Sequence, residues 1–259
     1  MRNPEERPEP MDVLWILSPI LFLVALVYSS VGLGGGSSYV TILYLFGIPL
    51  TQIPPVALFL NIIVTSVALI RFGGQGYFRP RLVIPFLVGS VPAAYIGARW
   101  RIEEQILSLV FGVILFLIAL VLLFKKQEIQ MKAPPAGKAW LGFSVSVGAL
   151  FGLMAGVMGI GGGVFLGPIL LLLGLASPKV VAATCSAFIL MNSAVGLLSH
   201  AIQGRVEPSM LFILGIAVFL GGEVGSFLGT RKFPALWVQR IFAFLLLGVS
   251  LKLSVEAIL

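Results

Sequence analysis

The chain has 259 residues, 59% of them hydrophobic and 10% charged, a net charge of +7 at neutral pH and a mean hydropathy of +1.09. That balance excludes an ordinary water-soluble domain and fits a polytopic membrane protein. Lys and Arg fall mainly between apolar runs, as cytoplasmic loops require, so the charge does not point to nucleic acid, and the single Cys185 excludes an internal disulfide framework and a cysteine-based metal site.

Residues 1–12 are polar and proline-rich, with four acids against two arginines, and read as a short flexible tail. From Val13 to Ile70 there is no Lys, Arg, Asp, Glu or His. As one helix that stretch would reach roughly 87 Å, against about 30 Å of bilayer core, so it folds back on itself. Residues 12–31 are too long for a signal-peptide core and lack a small-residue cleavage site, which makes them a retained first span. Apolar runs follow at 35–47, 49–70, 82–98 and 106–124. The hydrophilic stretch 125–138 then reads as a linker, and the rhythm returns at 139–157, 162–175, 179–202, 209–228 and 237–258. The organisation expected is a first transmembrane repeat at 13–124 and a second at 139–259, all α-helical, with 8–10 membrane segments. Runs 35–47 and 162–175 are short, reaching only about 20 Å, and read as half-spans or re-entrant segments.

The repeat is explicit in the residues. Val31-Gly32-Leu33-Gly34-Gly35-Gly36-Ser37-Ser38 returns 127 positions later as Met158-Gly159-Ile160-Gly161-Gly162-Gly163-Val164-Phe165. Ile42, Leu43, Leu45 and Gly47 match Ile169, Leu170, Leu172 and Gly174; Gly76 and Pro80 match Gly204 and Pro208; and the small-residue stretch 89–99 lies over 221–231. Small residues at that spacing let helices pack closely. Five crossings per half make the halves inverted, and four make them parallel. Either arrangement places eleven of the seventeen Lys and Arg on one side, so total charge does not decide. Equivalent loops do differ. Arg71, Arg79 and Arg81 face a partner loop where Arg205 is opposed by Glu207, and the balanced 99–105 faces Arg231, Lys232 and Arg240 without an acid. Both comparisons favour inversion, with both termini outside and the linker in the cytoplasm. Trp15, Trp100, Trp140 and Trp237 fall near run ends, as an interfacial aromatic belt requires.

A glycine run breaks a helix and leaves peptide groups without intrahelical partners; in a membrane such backbone survives only where protein buries it or it lines a wet cavity. Two such breaks at equivalent places in two halves point to a transport site. Neither is a phosphate-binding loop, because no Lys-Ser or Lys-Thr follows, and the dinucleotide fingerprint fails at Ser37 and Val164. What remains is Gly34, Gly35 and Gly36, and Gly161, Gly162 and Gly163, each ahead of a short helix whose free N–H groups favour an anion. The plainer reading is close helix packing alone. Ser37 and Ser38 in the first turn can cap that helix or donate to a ligand, whereas Val164 and Phe165 cannot. Asn61, Thr65, Thr184, Ser186, Asn192 and Ser193 are candidate donors within the spans, or else bond to backbone and to each other. The amides of Asn61 and Asn192 are the stronger candidates, since they are harder to satisfy by back-bonding. Glu223 is the acid well inside a predicted span and, with His200, the candidate for proton coupling; the alternatives are a structural pairing for Glu223 and an interfacial, water-satisfied His200.

The glycine motifs, each followed by a short apolar run ending Gly-Ile-Pro-Leu-Thr (47–51) or Gly-Leu-Ala-Ser-Pro-Lys (174–179), resemble the sulfite exporter TauE/SafE family, and the Asn192 helix, the 204–208 turn and the duplicated layout extend the resemblance over about residues 12–258. It implies a multi-pass inner-membrane protein that exports a small sulfur-containing oxyanion such as sulfite, a sulfonate or sulfoacetate. The pattern is not symmetric: Thr51-Gln52 stands opposite Pro178-Lys179, and Asn61 aligns with Asn192 only through a gap. The expected function is a secondary transporter working by alternating access around the two glycine-led helix starts. The expected partners are the sulfur anion and membrane lipid, with a homo-oligomer left open, and no enzyme activity, cofactor or metal is expected. Two alternatives stand beside it: an intramembrane serine hydrolase built on Ser37 and His200, since Gly35-Gly36-Ser37 has the Gly-x-Ser form, and a passive anion channel.

Overall fold

In lipid a charge-free apolar segment satisfies its peptide groups as a helix, and the computed structural model is helical throughout. It describes residues 10–99, 105–124, 137–159, 161–202 and 211–258, and these contain no strand. Most of the expected tail (1–12) and linker (125–138), the Gly204 and Pro208 match and Trp100 lie outside the described residues.

The first five helices are α1 (Pro10–Ser29), α2 (Gly36–Leu45), α3 (Ile53–Gly74), α4 (Pro80–Gly97) and α5 (Gln105–Phe124). The next five are α6 (Lys138–Met158), α7 (Gly163–Leu172), α8 (Pro178–Ile202), α9 (Leu211–Phe227) and α10 (Ala235–Ile258), with a π-helical turn at Leu228–Lys232 after α9. Among the described residues six helices are long and apolar enough to cross a membrane: α3, α4, α6, α8, α9 with its π turn, and α10. The second helix of each set has ten residues, about 15 Å, or half a bilayer core. The outer surface is greasy: Trp15, Ile70, Phe124, Phe212 and Leu251 are exposed. In water such a surface would aggregate; in a bilayer it is solvated. Trp15 and Trp237 face outward as a belt requires, whereas Trp140 stands edge-on to Phe86 at 5.8 Å and packs inside a helix seam.

The principal interfaces are α4 with α6, α1 with α9, α5 with α10, and α3 with α8. Their directions follow from which residues meet. Gly221, Gly225 and Gly229 lie against Phe22, Leu26 and Ser30, so α9 runs parallel to α1; Gly148, Gly152 and Gly156 lie against Phe86, Ser90 and Ala94, so α6 runs parallel to α4. Gly112 meets Ser250 and Ser254, while Gln239 Nε2 donates to the carbonyl of Leu122 at 2.9 Å, which makes α5 and α10 antiparallel. Gly196 meets Leu58 and Phe72 clusters with Ala182 and Ala183, which makes α3 and α8 antiparallel.

The small-residue stretches 89–97 and 221–229 are thus the seams on which α6 and α1 lie, so close that a Cβ on Gly225 would overlap the Leu26 carbonyl. Gly225→Leu is expected to destabilise the fold by about 3 kcal/mol or more, since backbone rather than a side chain must move. Thermal unfolding in detergent checks this against Gly142→Leu, where the space is open and no effect is expected.

Candidate functional site

α2 and α7 both start on a left-handed glycine. Gly35 has φ 83° and ψ 7°, and Gly162 has φ 74° and ψ −11°. Only glycine adopts that backbone without a Cβ penalty, which is why the motif is written in glycine. The first intrahelical bonds come from Tyr39 N–H to the Gly35 carbonyl (2.9 Å) and Phe165 N–H to the Gly162 carbonyl (3.1 Å), and no side chain caps either helix. The N–H groups ahead of those donors are turned toward whatever lies at the helix start.

Each glycine motif docks on the long helix of the other half of the chain. Ser186 Oγ of α8 donates to the Gly32 carbonyl at 3.0 Å, and a Cβ on Gly32 would overlap the Ala182 backbone. Gly159 lies against Pro54 at the start of α3. The two motifs meet where α3 and α8 cross. A Cβ on Gly34 would run into the Asn61 amide and stand 3.2 Å from Ile189 Cγ2; a Cβ on Gly161 would stand 2.6 Å from Ile189 Cγ2, 3.0 Å from Ser193 Oγ and 3.4 Å from Asn61 Nδ2. Asn61 and Ile189 therefore face each other between the two glycine turns, an amide on one side and an aliphatic group on the other. Asn61 lies about 12 Å along α3 from Ile53, at a depth bulk water does not reach: it is fully buried.

Asn61 makes no side-chain hydrogen bond through either Oδ1 or Nδ2, and the same holds for both amide atoms of Asn192, for Ser193 Oγ and for Tyr39 Oη. A buried amide left unsatisfied costs about 1–3 kcal/mol. The neighbouring hydroxyls are different. Thr65 donates to the Asn61 carbonyl (2.6 Å), Thr184 to the Val180 carbonyl (2.8 Å) and Ser186 to the Ala182 carbonyl (2.8 Å). These four-residue back-bonds remove Thr65 and Thr184 from the set of available donors and give Ser186 to backbone contacts. Gly34, Gly161, Asn61 and Ser193 come together; Gly35, Gly36, Gly162 and Gly163 build the two turns around them. Tyr39 was not legible as a site residue, although its position four after Gly35 places its ring over that glycine.

The helix starts are lopsided beyond the turn. Ser37 and Ser38 open α2 beside Tyr28, whose hydroxyl lies 2.8 Å from Ser38 Oγ. Val164 and Phe165 open α7, and Phe165 lies against Phe151 with ring centroids 5.7 Å apart and the planes tilted by 31°. Glu223 is held by Arg71, whose Nε donates to Oε2 at 3.0 Å, with a second contact from the guanidinium to the same oxygen. Arg71 occupies the last turn of α3, and sequence spacing alone had suggested no such partner, because the pair spans 152 positions. His200 is buried in the last turn of α8, at 6% exposure, rather than lying open at an interface.

The sulfite exporter TauE/SafE family model matches residues 17–253. The chain belongs to the sulfite exporter TauE/SafE family. A probable membrane transporter protein of Sinorhizobium fredii is 32% identical over 92% of this chain and 96% of its own length, and one of Bacillus subtilis is 30% identical over 94% and 98% respectively. A stretch of 105 residues is 30% identical to sulfite exporter TauE/SafE family protein 1 of Arabidopsis thaliana, covering 40% of this chain and 23% of that one. No solved structure matches. The TauE/SafE match covers both glycine motifs and both long crossing helices. With six candidate spans it makes the chain a multi-pass membrane protein of a transporter family, consistent with the inner membrane.

Proposed function

We propose that this TauE/SafE protein is a secondary transporter that carries a sulfur-containing monoanion outward, holding it between the starts of α2 and α7. The observation that carries the reading is Asn61, fully buried between Gly34 and Gly161 with neither amide atom bonded to protein. A helix start carries roughly half an elementary charge. Two converging starts therefore match about one negative charge, which favours hydrogen sulfite or a sulfonate over the sulfate dianion. No cationic side chain is needed at the crossing, which suits an ion that must also leave. Sulfur enters from the family and from the printed names of the Arabidopsis relatives.

The two sets of five helices are read as inverted repeats. Support comes from the antiparallel courses of α3 against α8 and α5 against α10, and from α1 running parallel to α9 while α6 runs parallel to α4. In this arrangement α2 and α7 enter the membrane from opposite faces and stop at the same depth, so a ligand between them can be released to either side by rocking one set against the other. The start of α1 and the end of α10 then share the outer face by the positive-inside rule.

Glu223 serves as an ion-pair partner that ties α9 to α3, which leaves His200 as the candidate for proton coupling. Glu223→Gln is accordingly expected to keep whatever dependence on a proton gradient the wild type has. Loss of that dependence in this variant would return the proton role to Glu223.

Purified protein in liposomes tests the function: sulfite and a simple sulfonate are expected to cross saturably and to accumulate under a proton gradient, with sulfate and a cation excluded. Flux that only ever runs down its own gradient would make the protein a channel. Absence of anion flux from folded protein would overturn the reading.

A further inference from the structure

The two glycine turns exchange partners in a regular way. Gly32 lies against Ala182 and Gly159 against Pro54, so residues 54 and 182, which are 128 positions apart, take equivalent places on α3 and α8. The crossing follows the same rule. Gly34 meets Asn61 more closely than Ile189, Gly161 meets Ile189 more closely than Asn61, and residues 61 and 189 are again 128 positions apart. Asn61 and Ile189 are therefore each other's equivalents, one an amide and the other a hydrocarbon.

A second pair differs in the same direction. At the 127-residue offset of the glycine motifs Tyr39 of α2 corresponds to Leu166 of α7, and both are fully buried. Tyr39 Oη, over Gly35, and the Asn61 amide have no protein partner, whereas Ile189 and Leu166 have no polar side-chain atom to satisfy. Ser193 Oγ, one turn beyond Ile189 on α8, is likewise unpartnered and stands with Asn61 Nδ2 beside Gly161. Ile189 is buried against Gly34, Gly161 and Gly163, the first residue of α7. A Cβ on Gly163 would stand 2.5 Å from its Cγ1 and Cδ1. Packing alone accounts for an aliphatic residue there. It does not account for the amide opposite, which a second aliphatic residue would replace without leaving two polar atoms unbonded.

We infer that Ile189 is a specificity-determining residue: it gives the site at the α2 and α7 starts one dry side, so that the site takes an anion with three oxygens and a non-polar fourth position on sulfur. The class of ligand is taken from the transport reading, on which this assignment rests. The oxygens face Asn61, Tyr39 and Ser193, and the bare sulfur side of hydrogen sulfite or the alkyl group of a sulfonate lies against Ile189. An anion with four oxygens has to turn one of them to a hydrocarbon wall, where it loses its hydrogen bonds to water and gains none. Exclusion of sulfate then has a cause besides its second charge. That cause acts equally on a four-oxygen monoanion.

Inorganic phosphate in mildly acidic buffer, where it is mostly a monoanion, separates shape from charge. Thermal stabilisation of detergent-solubilised wild type, Ile189→Asn and Ile189→Ala is titrated with methanesulfonate, propanesulfonate and phosphate, and methanesulfonate flux in liposomes is measured alongside. Wild type is expected to bind methanesulfonate about 100-fold more tightly than phosphate, the order of discrimination an apolar wall exerts on an added hydroxyl. Ile189→Asn is expected to bring the two within about 10-fold, because the amide offers the fourth oxygen a donor. Ile189→Ala enlarges the side that takes the substituent, and is expected to improve propanesulfonate over methanesulfonate about 10-fold relative to wild type. Wild type stabilised equally by phosphate and methanesulfonate, or by neither, overturns the role of Ile189, as does an unchanged ratio in a folded Ile189→Asn. If Ile189→Asn does not fold, an unchanged propanesulfonate ratio in Ile189→Ala overturns it instead. If the expected ratios hold while wild type moves no methanesulfonate, the transport reading fails on its own and Ile189 still sets what the site binds.

Discussion

Asn61→Leu is expected to lower transport about 10- to 100-fold and to leave the folded protein no less stable. The two effects separate because of what Asn61 touches. Its amide bonds to no protein group, so a leucine of similar volume breaks no internal hydrogen bond and removes a buried polar group worth about 1–3 kcal/mol against the fold. Loss of a hydrogen bond to a charged ligand costs about 1.5–3 kcal/mol, which is the stated fall in rate. Chemical or thermal unfolding of the variant in detergent is expected at or above the wild-type midpoint. A lower midpoint together with lost transport would make Asn61 a structural residue.

The second large effect is expected at Gly34. A methyl group on Gly35 or Gly162 would be forced into the left-handed region, costing about 1–2 kcal/mol of backbone strain, so transport lost there says little about the ligand. Gly34 is outside the positive-φ glycines. Its missing Cβ matters because that space belongs to the Asn61 side chain. Gly34→Ala is therefore expected to abolish transport by displacing the amide, with thermal stability close to that of wild type. Gly35→Ala should lower both. Normal flux in a folded Gly34→Ala would separate the glycine turn from the transport site.

How much of this was readable beforehand depends on whether the information is local. Long charge-free runs gave the helices to within a few residues, and the short runs 35–47 and 162–175 became α2 and α7, because helix length against bilayer thickness is a local constraint. The small-residue stretches are legible as packing seams, since a missing side chain is visible in sequence even when its neighbour is not. Amides resist back-bonding, so Asn61 and Asn192 stand out over Thr65 and Thr184 in the sequence, and the geometry separates them on that ground.

What could not be read was who meets whom. Ile189 opposite Asn61, Arg71 beside Glu223 and Lys252 above Ser37 join residues 128, 152 and 215 positions apart, and periodicity fixes the face a residue occupies without naming the helix it faces. His200 illustrates the limit: closeness to a run end suggested exposure, but neighbouring helices bury it.

The central claim is that an anion sits at Asn61 between the starts of α2 and α7. Ligand-induced thermal stabilisation of detergent-solubilised wild type and Asn61→Leu, with hydrogen sulfite, methanesulfonate, sulfate and choline, tests it most directly. A ligand at about a hundred times its Kd stabilises the folded state by about 2.7 kcal/mol. The account predicts that shift for the monoanions in wild type, much less for sulfate, none for choline, and most of it lost in Asn61→Leu. Equal stabilisation of both proteins by the monoanions would place the ligand elsewhere and contradict it.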